Sequence, residues 1–569
     1  MPLGIIDSHR LEHVPGTAPL EKVQNAGLPE TGLARNVALK YDKTGTIVLI
    51  PQPSDDPNDP LNWPRWRKEL FIISAIWGAA CVGAIGPLLV AAYVELAQEW
   101  GVSLARFSSG TNGALIVCLA GATMVVNVLA VQYGKRPVYL VTSLGLVATA
   151  FWGSAAKTFG SFVASRAIAG VCMAPLEGLV PASIADVWYV HERGMRTALF
   201  NLAFMAGVSI GPLIAGQLIQ HYSWRICSYA MAAALVINTI LTFFFMPETA
   251  YVRNTIKLDS TTYTVRKLCQ RMLFCADSRL KTNEIEVKND IEHRDNITTT
   301  EMIESHATDV TTNQDLPPRK SFTAGLAFWS GYHYPVPFWK TLLGPLRMAR
   351  SPIVLWTSLV FMTAITWIVI LTVGASQIFA SPPYNFSVGA VGNIFLSPFI
   401  ASVLGTLAAR PLIDGLVKFL ARKNHGVFEP EFRLPMMACY LLFTATGFFS
   451  AGQSLSRGMP WELPVIVSLG FINFGIVLTI TVAIAYTVDS HPEQAAEAVS
   501  VMVFLKNMFA FGSTYYINDW IAGSGVRTVF FTLGGITAAI SVSAIPMYIF
   551  GKKMREFFAM RGWAPESHY

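Results

Sequence analysis

The chain has 569 residues, 53% of them hydrophobic and 14% charged, with a formal net charge of +6. An average soluble domain carries about 25% charged residues, and soluble cores stop growing near ~250–300 residues. The composition therefore excludes a single soluble core and points to repeated membrane spans of ~20 apolar residues each. The basic residues sit in short connections between apolar stretches, which excludes a nucleic-acid-binding surface and leaves the lipid bilayer as the partner.

Residues 1–69 form a polar, proline-rich tail that offers nothing to bury, ending in DDPNDPLNWPRWRKEL. Trp63 and Trp66, with Arg65, Arg67 and Lys68, suit a membrane interface. The start, MPLGIIDSHRLEHVPG, lacks a basic segment followed by an apolar run, so the first span is expected to act as the insertion signal. Apolar runs follow at about 70–94, 107–131, 138–156, 161–187, 197–220 and 224–246. The polar tract 250–351 then reads as disordered, except for FWSGYHYPVPFWKTLLGPLRMARS, which is aromatic and basic and is expected on the cytosolic membrane surface. Six more runs come at about 352–380, 388–412, 434–452, 463–488, 495–518 and 527–550, before a tail at 551–569. The expectation is an all-α membrane protein with twelve transmembrane helices in two six-helix bundles, 70–249 and 352–550.

Charge sets the orientation. Lys135, Arg136, Arg193, Arg196, Lys418, Arg422, Lys423, Arg433, Lys552, Lys553 and Arg555 fall on one side, expected to be cytosolic together with both termini and the central loop. The sequon at Asn296 would then be cytosolic and unused, and that at Asn385 would lie outside, close to the membrane. The seven cysteines show neither metal spacing nor a disulfide framework.

Residues 206–216, AGVSIGPLIAG, contain GVSIG, a match to the hydrolase pattern G-x-S-x-G. A nucleophile elbow needs a strand before the serine, and none precedes Ser209. Ala203, Gly207, Gly211 and Ala215 instead recur every four residues and form one smooth helical ridge. Pro212 frees the carbonyl of Val208, and Gly216 adds slack, as a helix at a moving interface needs.

Charges inside spans cost ~2.5–3.5 kcal/mol at the bilayer centre and mark function. Arg166, Gly170, Met173 and Glu177 are spaced to share one face of the fourth span. Glu177 is a candidate proton site, with a static ion pair as the alternative reading. Lys506 lies midway along the eleventh span, where it could pair with an acid, bind an anionic group or snorkel to an interface. Asp186 and Asp489 end spans and suit helix-end contacts. Trp356, Trp367, Tyr486, Tyr515, Tyr516, Asn473, Asn507 and Gln377 are candidates to line a solute cavity. No phosphate-binding loop occurs, so no nucleotide is implied, and neither is a metal or other cofactor.

GVSIGPLIAG resembles the antiporter motif of the major facilitator superfamily, with Ala215 in place of the first of its two final glycines. NVLAVQYGKRP resembles the family's loop motif: Leu129, Ala130, Gly134, Lys135 and Arg136 match in kind, while Asn127 and Val131 replace its glycine and aspartate. RPLIDGLVKFLARK, with Asp414, looks like its echo after the eighth span. Arg166 through Gly170 resembles the R-x-x-x-G motif linked to proton coupling, and MPET closes the sixth span as in many members. The tracts DPNDPLNWPRW, PLEGLVPASIADVWYVHERGMR and EPEFRLP resemble a fungal branch of twelve-span drug and metabolite proton antiporters. The resemblance covers about 40–555. It implies a monomeric proton-coupled exporter of small organic molecules in the cell membrane or the vacuolar membrane. Two rivals stand beside it: a proton-coupled importer of a nutrient or an organic cation such as a polyamine, and a membrane receptor or scaffold that transports nothing.

Overall fold

The structure, a computed structural model, describes residues 56–251 and 338–561 without interruption. Outside them it describes only 4–6, 14, 16–19, 53–54, 321, 325–329 and 331. Asn296 and most of the central tract lie outside the described residues.

Among the described residues, eleven stretches are long and apolar enough to cross a membrane, and the last of them holds two helices, giving twelve. In chain order they are α1 (Arg65–Glu99), α2 (Leu104–Tyr133), α3 (Lys135–Ala155), α4 (Phe159–Val187), α5 (Glu192–His221), α6 (Trp224–Phe245), α7 (Pro352–Phe379), α8 (Val388–Lys423), α9 (Pro430–Ser456) and α10 (Leu463–Ser490). The stretch Ala495–Met560 contains α11 and α12, divided at Gly525, whose φ of 78° lies where glycine is favoured.

The helices overrun the apolar runs at the basic end. There α1 starts at Arg65 and α8 continues through Lys423. Hydropathy marks the lipid-facing part of a helix, while the backbone ladder continues into water wherever the residues tolerate it. RPLIDGLVKFLARK is accordingly helix and not a loop.

Two bundles repeat one pattern. In the first, α1 packs on α5, α2 on α4 and α3 on α6; in the second, α7 packs on the α11–α12 stretch, α8 on α10 and α9 on α11–α12. At the end carrying 381–387, one apolar cluster runs across both bundles and includes Leu88, Phe107 and Trp224 with Phe379, Val391 and Phe395. At the basic end the clusters are separate: Trp63, Phe71 and Trp188 belong to the first bundle, and Val354, Val501 and Phe558 to the second.

The N-terminal tail corrects its sequence reading. Ile5 and Val14 are buried, and β1 (Ala18–Pro19) pairs antiparallel with β2 (Val427–Phe428) under the second bundle. Trp63 is buried while Trp66 is exposed, so only the second is free to face an interface.

Candidate functional site

Glu177 and Lys506 meet between the bundles. Lys506 Nζ donates to Glu177 Oε1, and both side chains are about nine-tenths buried, at 7% and 11% exposure. Glu177 sits two residues before the break in α4 at Leu179, and Pro175 within this helix has no N–H, so the ladder here is already weakened. Oε2 of Glu177 is buried without a hydrogen-bond partner, as is Nδ2 of Asn507. Nearer the basic end, Asn127 Nδ2 donates to Ser500 Oγ at 3.3 Å, joining α2 to α11. Among ion pairs between described residues, Lys506–Glu177 is the one that links the two bundles.

Arg166 shares the helix but not the pair. Its Nη2 donates to the carbonyls of Ile85 at 2.8 Å and Gly86 at 3.0 Å. Regular helix in α1 stops at Ile85, and Pro87 lacks an N–H, so these carbonyls are orphans of a helix C-terminus. A cation at that end is favoured by the helix dipole as well as by hydrogen bonding.

The other cavity candidates disperse. Trp367 Nε1 bonds Thr537 Oγ1 at 2.9 Å deep inside the second bundle, and Trp356 Nε1 bonds Ser543 Oγ at 2.9 Å. Tyr486 packs edge-on to Trp356 and is wholly buried. Asn473 bonds its own helix at Leu469. Gln377 donates to the carbonyl of Asn518 at 3.2 Å, joining α7 to α11. Tyr515 and Tyr516 are exposed, and Lys506 is the candidate that the structure brings to Glu177.

The glycines of α5 serve two neighbours. A Cβ on Gly207 would lie 2.1 Å from the carbonyl oxygen of Ala80, and one on Gly211 would lie 2.9 Å from Ala84 Cβ, so both positions hold α5 tight against α1. A Cβ on Gly216 would lie 2.9 Å from Gly392 Cα, in the other bundle. Gln217 and Gln220 tie the same α5–α8 contact through Asn393 Oδ1 at 2.9 Å and the amide of Gly389 at 2.8 Å. Pro212 lies inside continuous helix. Ser209 is buried midway along that helix and not at a strand-to-helix turn.

At the basic end, Gly134 has a φ of 95° and ends α2. Lys135 Nζ pairs with Asp186 Oδ2 at 2.6 Å, and in the second bundle Arg433 Nε pairs with Asp489 Oδ2 at 2.6 Å, the same α3–α4 contact repeated between α9 and α10. Glu248 of MPET accepts from the amides of Lys135 at 2.9 Å and Arg136 at 3.0 Å, capping α3. The Arg136 guanidinium returns to the carbonyls of Met246 and Phe243 that end α6. Among the described residues Asp414 pairs only with Arg410, at 3.8 Å and in the open, so it does not reproduce the loop contact. Two features escaped sequence reading. One is Glu248 as a cap. The other is the buried Arg555, held by Glu429 at 2.9 Å and Glu431 at 2.8 Å. The MPET and EPEFRLP tracts were visible, but their partners lie far along the chain. His491, between α10 and α11, bonds Ser351 Oγ at 2.9 Å. Burial, and then the nearby Arg555 charge, pushes its imidazole down to about 4.

The family described as the Major Facilitator Superfamily matches residues 71–514. An uncharacterized MFS-type transporter of Schizosaccharomyces pombe is 26% identical, covering 96% of this chain and 94% of its own. Protein HOL1 of Saccharomyces cerevisiae is 26% identical, covering 96% and 95%. The efflux pump FUB11 of Gibberella moniliformis is 24% identical, covering 88% and 76%. Among solved structures, a D-xylose-proton symporter is similar in fold, with a TM-score of 0.57 at 12% identity, covering 86% of this chain and 99% of that one.

Proposed function

The chain belongs to the major facilitator superfamily, and from that premise we propose that this multi-pass membrane transporter, which is not an enzyme, is a proton-coupled exporter of small organic molecules. Glu177 is the proton site, Lys506 its switchable partner, and the two bundles rock about them in alternating access. The observation that carries this reading is the ion pair joining the bundles, with one carboxylate oxygen left without a partner. While Glu177 is ionised, the ammonium holds the bundles together. A proton on Oε2 neutralises the carboxylate and weakens the pair, and the bundles separate with Lys506 free to meet solute. Arg166 takes a supporting part by fixing the broken end of α1. The Lys-rich and Arg-rich end faces the cytosol, and the relative named as an efflux pump supports export.

The test uses protein in liposomes with an imposed pH gradient and a panel of radiolabelled organic amines and acids. Glu177→Gln keeps the size and hydrogen-bonding capacity of the side chain without its charge. It is expected to allow solute-for-solute exchange and to lose uphill transport. Uphill transport equal to the parent's would sink the coupling role. A second reading, uptake of an organic cation, draws on the same carboxylate, which already holds an ammonium. Accumulation of labelled spermidine in cells decides between them: an exporter lowers it or leaves it unchanged, and an importer raises it.

A further inference from the structure

We propose that the short helix Phe338–Met348 is a docking site for anionic phospholipid headgroups, set against the membrane beside the mouth between the bundles. Two apolar faces of this helix are occupied differently. Met348 is wholly buried in a cluster with Val354, Ala498 and Val501, and the helix also packs on α2. It therefore touches one helix from each bundle. On the opposite side, Trp339, Leu343 and Leu346 follow a spacing of four and three, so they form one stripe. All three are exposed, at 69%, 48% and 45%.

Position identifies what covers that stripe. The helix ends four residues before α7 enters the membrane at Pro352. A helix anchored so close to a span lies at the bilayer boundary, and its outward tryptophan and leucines reach the acyl region there. Arg347 and Arg350 flank the stripe, are exposed, and make no ion pair with a described residue. Two unpaired guanidinium groups beside an apolar stripe select lipids with a negative headgroup over zwitterionic ones. Because the same helix grips α2 and α11, which the Asn127–Ser500 contact also joins, bound lipid biases whether the bundles separate at this end.

The test uses the full chain with Cys118→Ser, Cys269→Ser, Cys275→Ser and Cys439→Ser, which leaves only buried native thiols among the described residues, and carries a spin label at Leu343→Cys. It is read in phosphatidylcholine nanodiscs with and without roughly 30% phosphatidylserine. The label is expected to be reachable by oxygen and shielded from a water-soluble nickel chelate. A label open to nickel, or shielded from both, would mean water or protein over the stripe and would overturn the proposal. Arg347→Gln with Arg350→Gln should lower retention of phosphatidylserine roughly 25-fold, about fivefold for each arginine, and leave phosphatidylcholine unaffected. Unchanged retention would remove the headgroup role. Both side chains are exposed, so thermal unfolding in detergent should match the parent. Neither readout depends on proton coupling, so failure here and failure at Glu177 are separable.

Discussion

Glu177 and Lys506 were each legible as charges in mid-span, because hydrocarbon tolerates so few. Their pairing was not, since 329 residues separate them and no periodicity spans that distance. Arg166 was legible as a buried cation. Its role as a cap for α1 needed the break at Pro87, which reads in sequence as an ordinary apolar run. Glu248 closes a motif that was visible, yet its work is done on a helix more than a hundred residues upstream. Glu248→Ala should remove two capping bonds and cost about 1–2 kcal/mol, seen as a lower unfolding temperature in detergent. His491 has a folded-state value near 4, below the ~6.5 of an unfolded histidine. The unfolded chain therefore binds the extra proton between those values. Stability from this residue is complete above about pH 6.5 and falls by on the order of 3 kcal/mol as pH drops towards 4. His491→Asn should flatten that slope in a pH series of thermal melts.

Helix existence followed from hydropathy, and the ends did not. The lower part of α8 and the start of α1 carry charged residues that continue the helix out of the apolar run. The small-residue ridge of α5 was legible as an interface, but which helix met each glycine was not: Gly207 and Gly211 on the ridge meet α1, while Gly216, off it, meets α8. These two contacts should respond differently. Gly207→Ala sets a Cβ against a backbone carbonyl, where nothing flexible yields, and should cost about 1–3 kcal/mol in unfolding measurements. Gly216→Leu pushes α5 away from α8. It should leave the first bundle intact and raise the reactivity of a cysteine placed at Gln217 towards an impermeant thiol reagent. Unchanged reactivity would show that the two helices part elsewhere.

The twelve-helix, two-bundle architecture was the most legible level, because span count and a long polar middle need no knowledge of contacts. Direction across the membrane rests on charge alone. Cysteines in 381–387 should label in intact cells with an impermeant reagent, and those in 132–137 or 424–428 should not. The reverse pattern would invert the molecule. The matched pairs Lys135–Asp186 and Arg433–Asp489 make a further whole-molecule statement. Each stays within one bundle and ties its helices at the basic end, so each bundle can turn as a unit. Breaking either pair, for example with Asp186→Asn, should loosen that bundle's own unfolding more than it alters the contact between bundles.

The seal between α5 and α8 sets Gly216 against Gly392 at its closest approach, with Gln217 and Gln220 bonded across beside it, and its material has a kinetic consequence. Where the two glycines meet there is no knob to withdraw from a hole, so what must break on parting is a few hydrogen bonds of two flexible side chains, which open and close quickly. The slow event of a turnover cycle then belongs to the charges at its centre, and the cycling rate should follow proton concentration more steeply than it follows the viscosity of the lipid.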